Sequence, residues 1–171
     1  TAPEAKKKAK RMVKTRGKEI DVLHFGPFPD PIKFRSYYLN IKLAVNAGSL
    51  YADEALVWFN ELELPPEKKL TAADKICCFP KMFAVSGKHF GTMDAKILEA
   101  LLKGAHGDLG RRLLLLVEEY NKATGSMPKG RQVMWYVRDW YVLQGIEGAL
   151  FDLNDLMQVR LHGDDLERFS N

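Results

Sequence analysis

The stretch GRQVMWYVRDWYVLQGIEGALFDLNDLMQVRLHGDDLERFSN, Gly130 to Asn171, decides the fold. Val133, Tyr136, Val137, Trp140 and Tyr141 stand at i, i+3, i+4, i+7 and i+8, one apolar stripe at the period of an α-helix. Trp135 and Val142 lie off that stripe, so this helix is apolar on more than one side and needs cover from most of the chain before it. A turn and a second helix are expected next, with Asp152 as N-cap, Asp155 at N3 and Phe151 stapled onto Leu156. Leu153, Leu156 and Met157 then face inward, Arg160 and His162 complement the negative end of the helix dipole, and Gly163 ends it. Asp164 with Glu167 opens a short third helix, whose apolar face begins at Leu166 and Phe169.

Working outward, residues 19–30 (EIDVLHFGPFPD) form a short lead-in, with Phe25, Phe28 and Pro29 expected to plug the end of a bundle. Asp30-Pro31 is a helix start, since Asp accepts backbone N–H bonds and Pro suits the first turn. Phe34, Tyr37, Tyr38, Ile41, Ala44 and Val45 keep helical spacing up to Gly48. Ser49 or Asp53 caps the next helix, with Ala55, Trp58, Phe59 and Leu62 on its inner face and Pro65-Pro66 beyond it. Residues 63–91 are the least regular: LTAADKICC suits a short helix, FPKMFAVSGKHFG an extended or looped crossing. Thr92 is expected to cap a helix carrying Met93, Ile97, Leu98 and Leu101, and Asp108 a longer one ending at Gly125. In that longer helix the run Leu113 to Leu116 suits burial on most sides. No alternating run and no hairpin turn pair stands out, so the chain reads as all-α, a multi-helix bundle.

At 171 residues and 46% hydrophobic, the chain can bury one good core or two small ones. Beginning at Thr1, it reads as a processed or excised piece of something longer, and it contains no apolar run long enough for a membrane span. Cys77 and Cys78 are neighbours and cannot staple distant parts of the chain, so reduced thiols, partly buried, and an intracellular setting are expected. The charge is segregated. Residues 1–18 carry Lys6, Lys7, Lys8, Lys10, Arg11, Lys14, Arg16 and Lys18 against Glu4, a net +7, whereas the other 18 basic and 21 acidic residues leave −3. Such a tail is expected to bind polyanions, RNA or DNA above all, or acidic membrane surfaces; the plainer reading is a solvated leader or a localisation signal.

Chemistry is harder to find. His24, His89, His106 and His162 show no metal-ligand spacing, and Cys77-Cys78 with His89 lacks the pattern of a zinc knuckle. Ser86-Gly87-Lys88 resembles the end of a phosphate loop, but Met82 stands where its first glycine belongs. Asp164-Asp165 is better explained by capping than as a catalytic pair. No catalytic residue, metal site, cofactor or small-molecule substrate is therefore expected, and the chain reads as a non-enzyme. Trp58 and Trp140 lie on core stripes. Trp135 is either a second core contact or part of a protein–protein surface, and Tyr51 is a weaker candidate of the latter kind.

Three segments carry a family likeness: FRSYYLNIKLAVNAGSLYADEALVWFNELE, MDAKILEALLK, and GRQVMWYVRDWYVLQGIEGALFDLNDLMQVRLHGDDLERF. In that order they resemble the Gag capsid region of copia-type LTR retrotransposons, especially the divergent Gag-like proteins of some protist genomes. Phe34 matches the aromatic residue that opens an early helix in that family. His162 to Phe169 is similar to the glycine-acidic-aromatic element that opens its second capsid lobe. Gln144-Gly145-Ile146-Glu147 imitates another homology motif but is one residue short, and no CCHC knuckle, protease or polymerase motif is present. The resemblance implies a basic tail over 1–18, a helical capsid lobe over 19–150, and a junction over 151–171 that starts a second lobe. It implies a self-assembling homo-oligomeric shell that packages RNA in cytoplasmic virus-like particles. Lys6 to Lys18 would face the RNA, and Trp135, Tyr51, Leu166 and Phe169 would serve assembly. The alternative is a helical nucleic-acid-binding module gripping a duplex with the basic arm and the Arg131/Arg138 side of the aromatic helix; a small all-α enzyme ranks last.

Overall fold

The computed structural model describes residues 17–63 and 70–163. Lys6, Lys7, Lys8, Lys10, Arg11, Lys14, Arg16, the Pro65-Pro66 pair, the Asp164/Glu167 cap, Leu166 and Phe169 lie outside the described residues. Five α-helices make up the body: α1 (Phe34–Gly48), α2 (Ala52–Asn60), α3 (Gly91–Lys103), α4 (Gly107–Thr124) and α5 (Gly130–Gly163). The all-α expectation holds. None of these helices is long and apolar enough to cross a membrane among the described residues.

Asp30 and Pro31 start the chain's helical part, through a single 3-10 turn (Pro31–Lys33) that feeds α1 with Pro at its first position. Helices α1 and α2 pack together as an antiparallel hairpin, burying Tyr37, Tyr38, Ile41 and Val45 against Ala55, Trp58 and Phe59. In the turn between them Ser49 Oγ accepts the Tyr51 N–H at 3.1 Å, but Tyr51 precedes α2 and neither Ser49 nor Asp53 caps it; Asp53 and Glu54 sit in its first turn, where the dipole favours them. Two further expected caps are displaced. Helix α3 begins at Gly91 with Phe90 before it, and Thr92 instead donates to Glu19 at 2.8 Å. Helix α4 begins at Gly107, and Asp108 sits inside the first turn, paired with Arg111.

Over residues 70–90 the chain is irregular but pinned. A capping box between Thr71 and Asp74 sets a 3-10 turn, after which β1 (Lys75–Ile76) and β2 (Phe79–Pro80) form a two-residue antiparallel pair. This small hairpin went unforeseen because Cys77 takes the left-handed conformation, φ 54°, which glycine or asparagine usually supplies. It places Phe79 wholly in the core, edge-on to Tyr120 and Tyr136.

Helix α5 crosses α3 at close range. A Cβ at Gly130 would fall 2.7 Å from Ile97 Cβ and 2.8 Å from the Leu98 amide, so only glycine fits at the crossing. From there α5 runs unbroken for 34 residues, about 51 Å. This corrects the expected turn and second helix. Asp152 is an interior residue and caps nothing; neither Gly145 nor Gly148 adopts a positive φ, and no proline interrupts the segment. The boundary expected between residues 150 and 151 falls inside the helix. Leu153, Leu156 and Met157, expected to face inward, are exposed instead because no described element lies over them. On α4 the leucine run is also less covered than expected: Leu113 is buried, whereas Leu114 and Leu115 face solvent.

Candidate functional site

The two halves of α5 differ in what surrounds them. In the proximal half, Val133, Met134, Val137 and Tyr141 are buried in the core. Tyr141 stacks on Phe34 with centroids 4.1 Å apart and donates its hydroxyl to the Pro29 carbonyl at 2.6 Å; burial raises that hydroxyl's pKa to about 12.

The start of the same helix holds a polar hub. Arg131 is only 4% exposed. Its guanidinium donates to the Trp58 carbonyl at 3.0 Å, to Glu61 Oε2 at 2.6 Å and to the Val85 carbonyl at 3.0 Å. It also lies 4.4 Å from the Trp58 ring centre, so one cation ties α2, the irregular segment and α5 together. Asp94 on α3 is fully buried and accepts from the Arg131 backbone N–H at 2.8 Å and the Ser86 hydroxyl at 2.7 Å. It thereby satisfies an otherwise unpaired amide at the start of α5. Burial pushes its carboxyl above the ordinary range, against the pull of Ser86 and Arg131. Gln132, also fully buried, donates to the Pro80 carbonyl at 2.9 Å and accepts the Lys129 N–H at 2.8 Å. Most bonds in this hub reach another part of the fold, although the buried Arg131 Nε makes none.

Of the two arginines expected on the aromatic helix, Arg131 is inside, whereas Arg138 is partly exposed, donating to the Leu62 carbonyl at 2.6 Å with the Tyr38 ring 5.8 Å away. Lys18, of the basic tail, is exposed and paired with Asp21 at 3.0 Å. Ser86, of the phosphate-loop lookalike, is buried on Asp94.

Trp135 is half-buried against the core with the Lys75 ammonium 5.3 Å above its ring. Tyr51 is half-buried and lies 4.6 Å from the His89 ring. The fold does not bring these two together with the distal half of α5. Cys77 and Cys78 are free and exposed at the hairpin tip, not partly buried as expected; desolvation, with Glu119 and Cys78 nearby, raises the Cys77 pKa. Among the described residues, no cluster of His, Cys, Asp or Glu could hold a metal. A shallow groove of about 340 Å³ is lined by His24, Lys103 and His106 among apolar residues, and its lining includes no carboxylate, hydroxyl or thiol.

The distal half of α5 is the feature the sequence reading missed. Val142, Leu143, Ile146, Leu150, Leu153, Leu156 and Met157 are between 50% and 65% exposed. They recur at helical spacing, so they share one side of a bare helix and form a continuous apolar stripe. Monomeric proteins seldom leave such a stripe in water. The signal was present in the residue spacing and was lost by assuming a turn at residues 145–152. The chain matches no family model, no curated protein and no solved structure.

Proposed function

We propose that this chain is a structural, self-associating protein of the Gag capsid type, which assembles into shells around RNA. The observation that carries the proposal is the distal half of α5: a rigid helical arm, continuous with the core, that offers an apolar stripe and no chemistry. A shell subunit needs a stiff body and a surface for repeated contacts with its own kind. The hub at Arg131 supplies the stiffness, since it anchors the arm's root through α2 and α3. The charge asymmetry supports the RNA part: a net +7 over residues 1–18 beside a body of net −3 concentrates polyanion affinity in one segment.

The test is negative-stain microscopy of concentrated protein with and without single-stranded RNA. Shells or lattices are expected, denser when RNA is present. A protein that stays monomeric in every condition would sink the proposal. Deleting residues 1–18 is expected to abolish RNA binding without unfolding the body. The affinity lost should carry a salt slope of about −0.7 per neutralised phosphate. Salt-sensitive binding that survives the deletion would favour the nucleic-acid module instead.

A further inference from the structure

We infer that residues 142–157 form a two-fold contact with the same segment of a second copy, the two helices antiparallel. This rests on the assembly reading and names its first contact. Leu143, Ile146, Leu150, Leu153 and Met157 are spaced 3, 4, 3 and 4 apart, the a/d rhythm of helices that pack knobs into holes. Val142, Ala149 and Leu156, seven apart, widen the stripe along one edge. The acids Glu147, Asp152 and Asp155 all fall outside these positions.

The segments of this sequence outside the described residues are poorly suited to cover the stripe. Residues 1–16 offer only Met12 and Val13 as large apolar side chains among seven cations, residues 64–69 offer Leu64 and two prolines, and residues 164–171 offer only Leu166 and Phe169. A second copy offers as many apolar groups as the stripe itself. With roughly 100 Å² removed from each of seven side chains, a copy buries about 700 Å², close to the ~800 Å² per partner of a stable interface.

Orientation follows from sterics and charge. A parallel pair sets the two bodies side by side at the arms' roots and aligns Glu147, Asp152 and Asp155 with themselves. An antiparallel pair sends the bodies to opposite ends and opposes the helix dipoles. With its axis between residues 151 and 152, Ile146 meets Met157 of the second copy and Leu150 meets Leu153. The arm beyond Tyr141, roughly 33 Å long, then lies against its counterpart along nearly its whole length.

The experiment is sedimentation equilibrium on the whole chain, wild type against Leu150→Glu/Leu153→Glu. Both positions are exposed, so circular dichroism and melting of the dilute variant should match wild type. Wild type is expected to dimerise, and the variant's dissociation constant to rise roughly 100-fold or more. In a Cys77→Ser/Cys78→Ser background, Ile146→Cys mixed with Met157→Cys should cross-link, whereas Ile146→Cys alone should not. A monomeric wild type, an unaffected double variant, or efficient self-linking of Ile146→Cys would each overturn the inference. Shells still formed by the double variant would overturn this contact and leave the assembly reading standing. Dimers that never yield shells would do the reverse.

Discussion

Residues 130–141 and 142–157 belong to one helix, yet they live in different solvents. In the first segment the side chains meet α2, α3 and the irregular crossing, and even two polar ones are inside: Arg131 is 4% exposed and Gln132 not at all. In the second, large apolar side chains stand in water with half or more of their surface free. The hydrophobic drive acts on both, but among the described residues only the first has found its partner. Burial is thus divided along a single element: the proximal half is packed into the fold, and the distal half is uncovered by any described element.

The sharpest way to break that division is at the hub. Arg131→Ala removes a buried cation and leaves the Trp58 and Val85 carbonyls without their donor. It is expected to cost about 3–5 kcal/mol, measured by urea unfolding. A loss below about 1 kcal/mol would mean the hub is replaceable by water, and the arm's root would no longer count as rigid.

A paired truncation compares the halves directly. Met134→Ala, in a fully buried site, is expected to cost about 2–5 kcal/mol. Leu153→Ala, on the arm, should stay within about 0.5 kcal/mol when protein is dilute enough to be monomeric. Concentrated protein should reverse the impression, because Leu153→Ala then weakens association while Met134→Ala leaves the stripe intact. Equal losses in dilute solution would show that something in the chain covers the arm.

Much of the body was legible from spacing. The inner faces of α1 and α2 follow the i, i+3, i+4 pattern of Tyr37, Tyr38, Ile41 and of Ala55, Trp58, Phe59, and those residues are buried. Gly125 closes α4 in the left-handed conformation that helix ends favour. Long-range polar pairing was not legible. Arg131 meets Asp94 and Trp58 from 37 and 73 residues away, and no local pattern announces such partners. Local signals also misled: Asp152 with Asp155 has the form of a cap, but a cap needs a break in the helix, and the backbone runs through Asp152 without one. Misplacing that break hid the stripe, since it split one 3-4-3-4 series between two imagined helices.

The hub also carries a pH signature. Burial raises the Asp94 pKa in the folded protein, so the folded chain holds that proton more readily than the unfolded one. Its contribution to stability is complete below the ordinary carboxylate value and is lost as pH rises through the raised one. Asp94→Asn, which keeps the neutral group's shape, is expected to cost about 1 kcal/mol in acid. Wild type's margin over this variant should narrow from pH 4 to pH 7 in urea titrations. A margin that widens with pH would mean that the bonds from Ser86 and the Arg131 amide outweigh burial.

The smallest expected effect tests the arm alone. Gly145 and Gly148 sit in mid-helix, and a Cβ at either would meet nothing within 4 Å. Alanine there removes backbone freedom from the unfolded chain and strengthens the helix by about 0.5–1 kcal/mol per site. Gly145→Ala/Gly148→Ala should therefore slow amide exchange across residues 142–157 and leave the proximal half unchanged. Neither glycine falls on the a/d positions of the stripe, so a stiffer arm loses less freedom on pairing and the dimer should tighten by a few-fold. Slower exchange without tighter pairing would separate the arm's order from its partner, and would shift attention to another exposed row, Ile32, Leu39 and Leu43 beside and along α1.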